Sequence, residues 1–180
     1  LTEGDFPVKV LPAFRPDKAI EITKPGFTSY LERLGLAASV RIDSLDALLQ
    51  ALLCRLDDFG RLGCRISDHG LTRIPWESCE EKEAGEILAR RLQGEALSDL
   101  QAEKYQTFLL LWLARQYAKR GWVMQLHFGV LRDLNPTLYE TLGEDAGGDA
   151  MGDIPCGERL GGLLHSLESE KALPKMILYS

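Results

Sequence analysis

The chain has 180 residues, of which 45% are hydrophobic and 27% charged, and a formal net charge of −6. That length suits one domain with one sizeable core, and the acidic balance argues against nucleic acid, whose phosphates need a basic patch. Four widely spaced cysteines (Cys54, Cys64, Cys79, Cys156) form no C-x-x-C pair, and the longest apolar run, Phe108 to Ala114, is far too short to span a membrane, so a cytoplasmic protein with no membrane partner is expected.

In chain order, Phe6 to Pro12 predicts a first short strand, followed by a polar loop, RPDKA. A helix from about Pro25 to Leu34 carries Phe27, Tyr30, Leu31 and Leu34 on one face. The next helix is the clearest: Leu45, Leu48, Leu49, Leu52, Leu53, Leu56 and Phe59 keep a 3-4 rhythm, with Asp43 or Ser44 to cap it and Gly60 or Gly63 to end it. Cys64 to Ser67 predicts the second strand, with SDHGL as the loop after it. Helices follow at about Glu80 to Leu92 and Ser98 to Arg120, the latter opened by an S-x-x-Q capping box and closed by Gly121. Trp122 to Phe128 is the third strand. Asn135 to Leu142 and Glu158 to Leu167 read as helices around a Gly/Asp-rich loop, Gly143 to Gly157, and Lys175 to Tyr179 is the fourth strand.

Strands separated by helical crossovers imply parallel pairing and an α/β fold. The strand spacing exceeds the ~30 residues per unit of a plain (β/α)8 barrel, and the surplus follows the strands, where such barrels keep their active sites. The reading is therefore a partial (β/α)8 TIM-type barrel with long helical insertions, the largest at about residues 76–120. A doubly wound open sheet is the alternative, weakened by the lack of a Gly-rich phosphate loop after any strand. A start at Leu1 without methionine and an end just past an apolar strand suggest a slice of a longer chain, residues 1–180 being the central part of one barrel domain.

The chemistry is expected at the carboxyl ends of the strands. Strand one runs into Arg15 and Asp17, strand two ends at Asp68 and His69, and strand three carries Gln125 and His127 on one face with Arg132 beyond. Each has an ordinary explanation: a local ion pair across Pro16, a turn cap at Asp68, a core histidine at His127. Their conjunction at successive strand ends favours a site, because such positions normally carry Val, Ile or Leu. Two arginines suit an anionic substrate group, and histidines with a carboxylate suit proton transfer near neutral pH. The residues alone point to a barrel enzyme acting on a small acid.

At these same positions the chain resembles the uronate (glucuronate) isomerases of the amidohydrolase superfamily, through VKVLPAFRPDKA, RLDDFGRLGCRISDHGL, ILARRLQGEALS, YAKRGWVMQLHFGVLR and LPKMILY. The resemblance implies a distorted (β/α)8 barrel of which this chain is about strands 4–7. It also implies interconversion of D-glucuronate with D-fructuronate, and of D-galacturonate with D-tagaturonate, through an enediol. His69 and His127 are the implied catalytic residues. Arg15 is the first choice for the substrate carboxylate, with Asp17, Asp68, Gln125 and Arg132 as further substrate contacts. The family's divalent metal, usually zinc, is expected to have its main ligands outside this chain, so no metal ligand is assigned here. The expected partner is a small-molecule uronate, with homo-oligomer formation left open. Competing readings are a non-catalytic folding or interaction fragment and a hydrolase of the same superfamily. Asp133-Leu134-Asn135 and the stretch Gly147 to Asp149 depart from the family pattern, although Asp149 matches its aspartate.

Overall fold

The computed structural model describes residues 8–144, 146 and 148–179. Its elements are α1 (Asp17–Ile20), α2 (Phe27–Ala38), α3 (Leu45–Arg61), β1 (Ile66–Leu71), α4 (Glu81–Leu92), α5 (Asp99–Arg120), β2 (Val123–Phe128), β3 (Val130–Leu131), α6 (Pro136–Leu142), β4 (Ala150–Met151), α7 (Gly157–Ser169) and β5 (Lys175–Tyr179). The main sheet has the order β1-β2-β5, and both pairings are parallel. α4 and α5 make the first crossover, and α6 and α7 lie within the second.

Local chemistry explains most of the helices. α3 begins where Ser44 Oγ accepts the Ala47 N–H at 3.2 Å, and it buries Leu45, Leu48, Leu49, Ala51, Leu52 and Leu56 along one stripe. α5 opens with the full reciprocal capping box of Ser98 and Gln101 and stops at Gly121, which takes the left-handed conformation. It buries Tyr105, Leu109, Leu110, Leu113 and Tyr117 against neighbours on several sides. At its carboxyl end Tyr117 stacks on Trp122, and Phe14 meets both rings edge-on.

One buried carboxylate fastens the first crossover. Glu103 of α5 accepts the Trp76 backbone N–H at 3.1 Å and the Arg73 guanidinium at 2.7 Å, and it also pairs with Arg159 of α7. Burial alone would raise its pKa; the Trp76 N–H and the two arginines outweigh that and hold it below the ordinary 4.5.

The structure corrects the sequence reading in four places. Of the first predicted strand, Phe6 and Pro7 lie outside the described residues, and Val8 to Pro12 forms no strand. Pairing is picked up only beyond Pro12, which has no N–H to give: Phe14 makes a single parallel bridge to Ser67, through Phe14 N–H to Ile66 O and Asp68 N–H to Phe14 O, each 3.0 Å. The SDHGL segment is strand, not loop. Its Asp and Gly suggest a turn, but a ladder running from Ile66↔Val123 to Leu71↔Phe128 keeps it extended. Finally, the Gly/Asp-rich segment contains β4, which pairs antiparallel with β3, and the predicted RPDKA loop includes the short helix α1.

Candidate functional site

Because β1 runs through Leu71, successive residues alternate between the two faces of the sheet. Ser67 and His69 point into the helix layer and are completely buried. Asp68 and Gly70 point the other way, opposite Gln125 and His127 in the register. On β2 the same alternation buries Met124, Leu126 and Phe128, leaving Gln125 and His127 half-buried on the open face. Ile177 and Tyr179 of β5 are opposite those two residues.

The open-face residues form one connected line. Arg15 Nε lies 3.2 Å from Asp68 Oδ2, and Asp68 Oδ1 lies 2.9 Å from His127 Nε2. The imidazole of His127 stacks on Tyr179 at 4.2 Å between centroids and 7° between planes. Gln125 Nε2 donates to the Tyr179 hydroxyl at 2.7 Å. The contact between His127 and Asp68 is close, yet Asp68 Oδ1 is buried without a hydrogen-bond partner. An acceptor left in that state costs stability unless something else supplies a donor.

Arg15 also reaches Asp17, with Nη2 3.4 Å from Oδ2, so the expected loop-fixing pair across Pro16 is formed. Asp17 does more than close that loop. Its Oδ2 accepts the Gly70 N–H at 3.1 Å, and its Oδ1 lies 3.0 Å from His69 Nδ1. His69 Nε2 in turn lies 3.1 Å from the Tyr117 hydroxyl. Both ring nitrogens of His69 are thus engaged inside the protein, on the face opposite His127. The expectation that His69 and His127 would present their imidazoles to one cavity is not met: a strand in place of a loop at SDHGL turns them to opposite sides.

Arg132 lies past the end of β2 and pairs with Asp149 at 2.7 Å, while the Asp133 N–H donates to the other oxygen of Asp149 at 3.0 Å. These contacts tie the segment after β2 to the one around β4. Arg15, Asp17, Asp68, His69, Gln125 and His127 are therefore joined through contacts of one network, and Arg132 belongs to a neighbouring pair. Tyr179 and Tyr117 were missed by sequence reasoning. Tyr179 closes an apolar strand and Tyr117 sits in a helix, and nothing in either local pattern marks a polar partner. A cleft of about 360 Å³ is lined by Arg15 together with Phe14, Lys18, Tyr30, Arg33 and Arg55.

Among the described residues no group of three or more His, Cys, Asp or Glu side chains could hold a metal ion. The geometry agrees, since His69 has no free nitrogen and the Asp68 carboxylate is shared between Arg15 and His127. No described helix is long and apolar enough to cross a membrane.

Comparison with known proteins bears on this arrangement. Uronate isomerase from Shouchella clausii is 47% identical over 178 residues, covering 99% of this chain and 38% of the relative. The enzyme of the same name from Caldanaerobacter subterraneus is 42% identical with the same two coverages. The chain thus spans 38% of the length of these curated relatives. Among solved structures, uronate isomerase from Thermotoga maritima superposes with a TM-score of 0.84 at 31% identity, covering 94% of this chain and 37% of that one. Glucuronate isomerase from Caulobacter crescentus gives 0.81 at 26% identity, covering 94% and 35%. The glucuronate isomerase family model matches residues 1–180, and the chain, from its parallel sheet to the residues along its open face, belongs to that family.

Proposed function

We propose that this chain is the central part of a uronate isomerase that interconverts D-glucuronate with D-fructuronate and D-galacturonate with D-tagaturonate. Three parallel strands in sequential order, preceded by the parallel bridge of Phe14 to Ser67 and with helices in the crossovers, suit about strands 4–7 of a (β/α)8 barrel of the amidohydrolase superfamily. In that setting the open face of the sheet is the barrel interior, and α4 and α5 are the helical insertion. A divalent metal, zinc by the family resemblance, and a cytoplasmic location belong to the same proposal. The metal's ligands would come from outside this chain.

The observation that carries the reading is the line Arg15–Asp68–His127 on the open face, with its one unmatched acceptor. Arg15, whose side chain is 56% exposed, offers a guanidinium to the substrate carboxylate. Asp68 Oδ1, beside His127 but without a formed hydrogen bond, can accept one from a sugar hydroxyl. His127, 39% exposed and held flat against Tyr179, is placed to take or return a proton at an adjacent hydroxyl. Gln125, fixed by Tyr179, is a further contact to the sugar, and Arg132 is an outer one.

Assay of the full-length protein with D-glucuronate, following ketose formation, tests the proposal. Arg15→Ala and His127→Ala are each expected to reduce kcat/KM by about 100-fold or more. Wild-type activity in both variants would reject the site.

A further inference from the structure

The completely buried imidazole of His69 has no path to a substrate on the open face, yet it is bonded at both nitrogens. What it touches is informative. Asp17 receives His69 on one oxygen, and the Gly70 N–H and Arg15 Nη2 on the other. Two of these donors directly follow Asp68 along β1, and the third is the arginine that also grips Asp68. Asp17 therefore determines where Asp68 and Arg15 sit, and His69 determines where Asp17 sits. Gly70 leaves room for this convergence: a Cβ there would come within 3.3 Å of Arg15 Nη2.

The donor roles follow from the partners. A carboxylate only accepts, so His69 Nδ1 carries a proton toward Asp17. Burial pushes the Tyr117 phenol well above its ordinary value, so Tyr117 keeps its proton. A phenol that keeps its proton can donate it to Nε2, which would give the ring one donor and one acceptor nitrogen. A neutral ring also avoids placing a charge in a site with no exposed surface.

We propose that Tyr117, His69 and Asp17 form a buried positioning chain, in which neutral His69 with its proton on Nδ1 holds Asp17 so that Asp68 and Arg15 meet the substrate in register. These three are positioning residues, not catalytic ones. This inference rests on the uronate isomerase reading for its kinetic consequence, but its structural content is independent of it.

The test uses the full-length protein labelled with ¹⁵N-histidine, His69 being assigned by the signal lost in His69→Asn. At neutral pH the expected result is a protonated Nδ1 and an unprotonated Nε2. In Asp17→Asn, a mild change that retains the side-chain volume, that preference is expected to weaken or reverse. Kinetically, His69→Asn keeps an N–H near the Nδ1 position and is expected to stay within about threefold of wild-type kcat/KM. His69→Gln, which places its amide near the Nε2 position, is expected to lose about tenfold or more per folded molecule. Equal activity of the Asn and Gln variants, or an Nε2-protonated or doubly protonated ring in the wild type, would overturn the proposal. A wild type with the Nδ1–H form but no isomerase activity would count against the functional reading while supporting the positioning chain.

Discussion

On the helix-covered face of β1 and β2 Ser67, His69, Met124 and Leu126 have no exposed surface, whereas on the opposite face the side chain of His127 keeps 39% of its surface. On the covered face both nitrogens of His69 are engaged from inside, while Ser67 Oγ is buried without a hydrogen-bond partner. On the open face Asp68 Oδ1 lies beside His127 without a formed hydrogen bond, and the Arg15 side chain remains more than half exposed. One strand supplies both kinds of surface, because alternation sends Asp68 and His69 in opposite directions. The two faces therefore differ in access: the polar groups of the covered face are closed off from any ligand, while Arg15 and His127 on the open face can reach one.

The sharpest way to break this contrast is to truncate one apolar side chain on each face. Leu126→Ala, on the covered face, removes a side chain with no exposed surface and is expected to destabilise this chain by about 3–4 kcal/mol. Ile177→Ala, on the open face, is expected to stay below about 1 kcal/mol. Denaturant titration of the two variants checks the difference, and similar losses would mean that the open face is packed.

A smaller effect is expected at Glu103, which fastens the crossover on the covered side. Glu103→Gln leaves Arg73 and Arg159 without their shared charge, but both arginines are partly solvated, so the loss is expected to be about 2–3 kcal/mol. Its pH dependence has a definite sign. A carboxyl whose folded pKa lies below 4.5 contributes stability that is fully present above that value and lost as pH falls through the folded pKa. The stability of the wild type should therefore fall more steeply than that of Glu103→Gln on acidification from about pH 5 to about pH 3. Parallel curves would remove Glu103 from the acid response. The smallest effect concerns the remote end of α5, where Ser98→Ala is expected to cost about 1 kcal/mol through loss of the cap, read as a shift in the denaturation midpoint.

What could be read from the sequence follows the range of the forces involved. α3 and α5 were legible with their caps, because an apolar stripe, Ser44, Ser98 and Gly121 all act within a few residues. β2 and β5 were legible as short apolar or alternating runs. SDHGL was not, since its Asp and Gly favour a turn locally and only the ladder to β2 keeps it extended. Arg15, Asp68, His127 and Gln125 stood out because polar residues are unusual at successive strand ends, and the structure joins them through one line of contacts. The separation of His69 from His127 was invisible, since it depends on where β1 stops. Tyr117 and Tyr179 became relevant only when packing brought their hydroxyls to His69 and Gln125.

The bonds from Asp17 to His69 and Gly70 cross 52 and 53 positions of chain, and none of its partners on β1 is local. Closing a loop of that size is slow and entropically unfavourable compared with winding α3 or α5, which need only near neighbours. The helices can therefore form early, while the carboxylates and the arginine come to their places only when α1 docks on β1. Detaching that short N-terminal segment would scatter the constellation even with every strand of the main sheet still paired.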